Sequence, residues 1–200
     1  MADVNEGRLS FHFPDDWQVI KYDDSLWHTS RMRSGLKAMD ILLRNPEGEH
    51  YWVEIKDCLG FERDNRPRLS PTDSPELSAA KHWLAQQGWT QQIKAERKKP
   101  FIVDEVEEKL RSTLAALAIA QREQAAELQD FYLVDDVTQP LTAILLLTWD
   151  AKDFKRLASR LQLKLERCLQ PYGVRCFVVN EHTLHTTGID CRITRSKHES

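Results

Sequence analysis

The run Leu141-Thr-Ala-Ile-Leu-Leu-Leu-Thr148 constrains the fold more than any other stretch of this chain. It has strand length, and an unbroken apolar run of that length reads as a strand covered on both faces. Such strands belong to parallel sheets, whose crossover connections lay helices over them. The flanking sequence agrees. Upstream, Val106, Leu110, Leu114 and Leu117 recur at helical spacing behind Asp104 and Glu107, a capping-box-like start, and predict a helix from Asp104 to about Asp130. Downstream, Phe154, Leu157, Leu161, Leu165 and Cys168 mark a second amphipathic helix, stopped by Pro171 and Gly173. Val174–Asn180 is a further buried strand, and the tail from Glu181 carries no clear pattern. The fold class is α/β, with a mixed central sheet flanked by helices.

The N-terminal third reads as strands over Trp17–Tyr22, Lys37–Arg44 and His50–Asp57. Between the last two lies Asn45-Pro-Glu-Gly-Glu49, where Pro presets φ and Gly permits a positive one, the strongest hairpin signal in the chain. A turn centred on Glu47 sets Asp40 opposite Glu54, with Cβ atoms about 4.5–5.5 Å apart. Alternation then puts Ile41, Leu43, Val53 and Ile55 on one apolar face. The other face gathers Asp40, Glu54 and Lys56, interrupted by Leu42 and Trp52. Two opposed carboxylates repel unless a cation lies between them. A hard divalent ion such as Mg²⁺ (or Mn²⁺) suits oxygen ligands and leaves room for substrate phosphate. An exposed ladder of ion pairs to Lys56 or Arg44 is the alternative.

Asp40, a 13-residue spacer and then Glu54-Ile55-Lys56 at the end of an apolar strand resemble the PD-(D/E)xK, or restriction endonuclease-like, nuclease superfamily. The order that follows, helix, buried strand, helix and strand, is similar to that family's core. The resemblance covers roughly residues 17–149, although Met39 stands where the motif proline is expected. It implies Mg²⁺-dependent hydrolysis of DNA phosphodiesters, RNA being the other polymer in reach. Asp40, Glu54 and the Ile55 backbone carbonyl would be the metal ligands and Lys56 the catalytic lysine. Asp23 or Asp24 would be the further acidic residue that members often carry upstream, and Lys109, with Arg111 behind it, the polar or basic residue on the following helix. It further implies roles in restriction, antiviral defence or DNA repair, as a homodimer or as a subunit of a defence complex. A non-catalytic nuclease-fold regulator or DNA-binding subunit is the competing reading. Four other acidic-x-Lys matches, such as Glu96/Lys98 and Glu107/Lys109, fall outside strands and carry nothing.

The expected organisation is one nuclease-like domain over residues 1–200, with an insertion at 61–100 and a C-terminal α/β extension at 150–200. In the insertion, Ser74, Pro75 and Gly88 bracket a short helix. Its cations Arg63, Arg66, Arg68, Lys94, Arg97, Lys98 and Lys99 are candidate nucleic-acid contacts. Trp83 and Trp89 either stack on bases or pack that helix onto the body. The formal charge of −3 excludes a chain-wide basic coat but conceals segregation. Residues 1–60 balance at −4, 61–100 at +3, 101–150 at −7 and 151–200 at +5. Complementing the helix dipole explains the acidic turn at Asp104, Glu105, Glu107 and Glu108.

Other classes fall. Cys176, His182, His185 and Cys191 fit no common zinc spacing. There is no nucleophile-elbow sequence and no Gly-rich phosphate loop. Residues 1–13 lack a secretory pattern, and no apolar run reaches the roughly 20 residues of a membrane span. Four cysteines without CxxC spacing suggest a reducing compartment, so a cytoplasmic protein is expected, with no membrane contact.

Overall fold

Strands that are apolar on both sides need cover on both sides, and the computed structural model supplies two different covers. It describes residues 2–32, 35–132 and 140–196. The chain runs β1 (Ala2–Glu6), β2 (Leu9–Phe13), β3 (Gln18–Lys21), α1 (Leu26–Arg31), β4 (Ile41–Arg44) and β5 (His50–Asp57). It continues through α2 (Glu62–Asn65), α3 (Pro75–Gln86), α4 (Ile102–Arg122), β6 (Leu141–Thr148), α5 (Ala151–Leu169), β7 (Arg175–Val179) and β8 (Arg192–Arg195). The central sheet has the order β3-β4-β5-β6-β7. Its first two pairings are antiparallel and its last two parallel.

The crossovers β5-α4-β6 and β6-α5-β7 step the same way across the sheet. Sharing the usual hand, they lay both helices on one face. There Leu42, Trp52, Leu145 and Leu147 pack with Val106, Leu110, Leu117, Leu161 and Leu165. Alternation sends Ile41, Leu43, Val53, Ile55, Ile144 and Leu146 to the other face. That face is covered by an antiparallel sheet of order β1-β2-β8, through Val4, Phe11 and Phe13. The expected flanking helices are therefore confined to one side. Leu42 and Trp52 also change meaning: both are fully buried under α4, so the carboxylate face of the hairpin is a covered face.

The hairpin pairs Ile41 with Val53, Leu42 with Trp52, Leu43 with Tyr51 and Arg44 with His50, the register that the turn predicts. Gly48 takes φ 89°, which a residue with a Cβ rarely adopts, and Asn45 Oδ1 accepts the Glu49 N–H at 2.7 Å. The strand begins at Ile41 rather than Lys37. Asp40 lies one residue before the ladder, held by its N–H to the Val53 carbonyl at 3.1 Å.

α4 departs from expectation at both ends. It starts at Ile102 with Phe101 as its cap, so Asp104 is inside the first turn and caps nothing. It ends at Arg122, where Gln124 adopts φ 54° and the Ala125 N–H returns to the Ala120 carbonyl at 2.9 Å. This is a Schellman closure built on Gln instead of Gly, followed by a 3₁₀ segment, Ala126–Phe131. α3 has its expected brackets, with Ser74 accepting from the Leu77 N–H and Gly88 at φ 69°. The four cysteines are free thiols, and no described helix is long and apolar enough to cross a membrane.

One contact fixes the hairpin against α4. The Met39 N–H donates to Thr113 Oγ1 at 3.0 Å, and Thr113 is fully buried. Thr113→Val keeps the volume but strands that N–H. A loss of about 1–3 kcal/mol is expected, read as a lower urea midpoint, with Thr113→Ser close to the parent.

Candidate functional site

The opposed carboxylates sit in a chain of alternating charge. Asp40 Oδ2 accepts the Ile55 N–H at 2.6 Å, and Asp40 Oδ1 accepts from Lys109 Nζ at 2.8 Å. The same ammonium donates to Glu54 Oε2 at 2.8 Å. Glu54 Oε1 touches Lys56 Nζ, which lies 2.9 Å from Glu105 Oε1, and Glu105 Oε2 accepts from the Arg68 guanidinium. Asp40, Lys109, Glu54, Lys56, Glu105 and Arg68 thus alternate, three anions with three cations. Glu105 and Lys109 are one helical turn apart, so α4 presents both to β5. Side-chain exposure runs from 0% at Glu54 to 16% at Lys109, so this is no exposed ladder.

Burial moves the titrations. Desolvation, with Asp40 adjacent, pushes the Glu54 carboxyl up to about 7 against the pull of Lys56 and Lys109. Burial draws Lys109 and Lys56 down, but their carboxylate neighbours outweigh it and hold both above the ordinary lysine range. Burial likewise raises Glu105, and Lys56 and Arg68 more than reverse it.

Asp23 joins from the turn after β3, where the Tyr22 N–H donates to the Asp40 carbonyl at 2.9 Å. Its Oδ1 is buried with no hydrogen-bond partner among the described residues. Burial and the Asp40 charge raise its carboxyl to about 6. Asp24 points elsewhere, pairing with Lys21 at 2.7 Å while largely exposed.

These groups fit a hard divalent cation. Asp40 and Glu54 aim oxygens at a single point, marked by Lys109 Nζ, and Mg²⁺ commonly uses only one or two carboxylates plus water. Asp23 Oδ1 has no partner among the described residues and lies within range of the Asp40 charge. Among the described residues no group of three or more His, Cys, Asp or Glu is arranged to hold a metal ion. The Ile55 side chain packs in the opposite core, and its N–H is committed to Asp40.

The insertion cations divide. Arg68 is buried on Glu105. Arg97 is consumed internally, with Nε on Asp73 at 2.7 Å and its other nitrogens on the Ser70 and Pro71 carbonyls at 2.6 Å. Arg97 is framework, not an open phosphate contact, because its nitrogens already have acceptors, whereas Arg68 Nε is buried with no hydrogen-bond partner among the described residues. Lys99 donates to Asn65 Oδ1 at 2.9 Å. Arg63, Arg66, Lys94 and Lys98 are exposed. Trp83 and Trp89 are 50% and 44% exposed and pack on each other, 5.3 Å apart and edge to face, so they do not dock the helix on the body.

Sequence reasoning missed Glu105, whose acidity the helix dipole already explained; its spacing of four from Lys109 was the available signal. It also missed Asp57, which accepts from Arg8 at 2.6 Å and Arg195 at 2.9 Å and so ties the smaller sheet to the end of β5. No protein-family model, curated protein or solved structure matches this chain.

A carboxyl raised in the folded state binds its proton more tightly there than in the unfolded chain, so its stabilising contribution is present below pH 4.5 and lost as pH rises through about 7. Wild type is expected to lose stability relative to Glu54→Gln across that window and to show a constant difference above it, read from urea midpoints. A pH-independent difference would contradict the raised carboxyl.

Proposed function

We propose that this protein is a Mg²⁺-dependent nuclease that hydrolyses DNA phosphodiesters, with the restriction endonuclease-like core that its motif resembles. One observation carries the reading: Asp40 and Glu54, brought together by the hairpin register, share one cation position, and Lys56 touches the second carboxylate. The order β5, α4, β6, α5, β7 behind the motif strand agrees with the family pattern.

Asp40 and Glu54 would hold the ion, for which Lys109 must leave their shared focus. The Ile55 carbonyl, one residue from both Glu54 and Lys56, would complete the ligands. The ion supplies Lewis-acid stabilisation of charge developing on the phosphate. Lys56 remains cationic between Glu54 and Glu105, and those two carboxylates occupy two of its three donors. The third can orient the attacking water toward phosphorus. Hydrolysis forms one P–O bond to that water and breaks the bond to the leaving sugar oxygen, which takes up a proton. Lys109, released from the carboxylates, is placed to pair with a phosphate oxygen.

Cleavage of plasmid or single-stranded DNA in Mg²⁺ or Mn²⁺ is expected, with losses of about 10²-fold or more in Asp40→Ala and Lys56→Ala. Cleavage surviving both substitutions would rule the assignment out.

A second reading is favoured by Lys109 itself. An ammonium on both carboxylates neutralises them without a metal, as a nuclease-fold regulator or DNA-binding subunit would require. Calorimetry separates the two. The nuclease binds Mn²⁺ and loses it with Glu54→Ala, whereas a closed ion cluster gives no specific heat in either protein.

A further inference from the structure

The insertion holds a cleft that leads away from Lys56. A cavity of about 350 Å³ is bordered by Lys56, Asn65 and Phe61, and a larger one of about 840 Å³ by Arg63, Arg66, Lys98 and Leu77. Asp64, Arg68 and Lys99 border both, so the two are neighbours. Six Lys and Arg side chains line the larger cavity against two carboxylates, Asp64 and Glu96. Its walls, the 62–74 loop and the 94–99 segment, are clamped by Arg97 on Asp73, Ser70 and Pro71. Leu77 opens the cleft onto α3, whose buried residue is Leu84 alone. A 12-residue helix with so little packing is marginal by itself. Trp83, next to Leu84 in α3, and Trp89, just past the helix end, are half-exposed and pack on each other.

We infer that this insertion binds single-stranded DNA, its bases stacked on Trp83 and Trp89 and its phosphates led by Arg63, Arg66 and Lys98 toward Lys56. Stacking requires base faces, which a single strand offers and a duplex keeps against its own neighbours. The cleft has the volume of a small-ligand pocket, whereas specific duplex binding spreads over about 1,000–2,500 Å² of protein surface. The charge of the lining is complementary to a phosphate backbone and the aromatic pair to unpaired bases, the two components of a single-strand site. The inference deepens the nuclease reading and rests on it for the chemistry at Lys56. The binding itself does not require cleavage.

The experiment is fluorescence anisotropy in EDTA, using labelled oligothymidylate of about 20 residues, longer than one such binding site. Binding roughly tenfold or more tighter than to a duplex of equal length is expected, with quenching of tryptophan emission. Trp83→Ala and Trp89→Ala should each weaken it roughly 5- to 100-fold. Arg63→Ala/Arg66→Ala/Lys98→Ala should flatten the salt dependence by about two in slope. Circular dichroism establishes that each variant folds. Equal or tighter duplex binding, or unchanged affinity in both tryptophan variants, overturns the inference. So does a concentration-dependent dimer lost in the tryptophan variants without any oligothymidylate binding. Binding is read in EDTA, apart from any metal-dependent cleavage. Strand binding without cleavage in Mg²⁺ therefore defeats the nuclease reading alone, and cleavage without strand binding defeats this one alone.

Discussion

Two carboxylates cannot lie buried beside each other without positive charge between them, and much of this structure answers that constraint. Lys109 bridges Asp40 and Glu54, Lys56 takes the remaining oxygen of Glu54, and Glu105 and Arg68 extend the alternation outward. The six residues come from four places in the chain: Asp40 from the approach to β4, Glu54 and Lys56 from β5, Glu105 and Lys109 from α4, and Arg68 from the segment before α3. The cluster therefore demands that α4 dock in one rotation, and the Met39–Thr113 hydrogen bond meets that demand one helical turn further along. Buried ion pairs seldom exceed a well-packed apolar replacement in stability, because desolvation offsets their attraction. What they permit chemically is the better account of their presence.

The position of the cluster follows from the topology. Glu54 and Lys56 approach the carboxyl end of β5, where parallel pairing with β6 begins to give way to loops. Open α/β sheets bind ligands beyond the carboxyl ends of their strands, where loops converge and backbone groups are free. The insertion leaves from that end, so its cleft begins where the charge cluster stops. The unequal covers sharpen this. Helices on one face bring charged side chains to the hairpin, while the β1-β2-β8 sheet on the other is apolar and tied to β5 by Arg8 and Arg195 on Asp57.

The charge segregation along the chain also changes meaning. The acidic start of α4 complements its dipole, but its carboxylates have individual partners. Glu105 meets Lys56 and Arg68, Glu108 meets Lys37 at 2.6 Å, and Glu107 accepts from Cys168 and Tyr172. Much of the negative balance is absorbed inside the fold. On the insertion the reverse holds: Arg68 and Arg97 are held internally, and the exposed cations are Arg63, Arg66, Lys81, Lys94, Lys98 and Lys99, of which Lys81 pairs with Asp73.

Local order was legible because it depends on local chemistry. Alternation, the Asn45–Glu49 turn and the apolar run at Leu141–Thr148 determined the hairpin register, the facing of Asp40 and Glu54, and the buried parallel strand. Ser74, Pro75 and Gly88 likewise bracketed α3. The Gln124 left-handed cap was illegible, since sequence marks that conformation only through Gly or Asn. Lys109 was nominated from a resemblance, but its bridging of two carboxylates, the recruitment of Glu105 and the internal capture of Arg68 and Arg97 were not. Those depend on how a helix and a loop distant in sequence are rotated against the hairpin. Side-chain identity sets which charges a segment carries. Only packing decides which of them meet each other and which are left to meet a ligand.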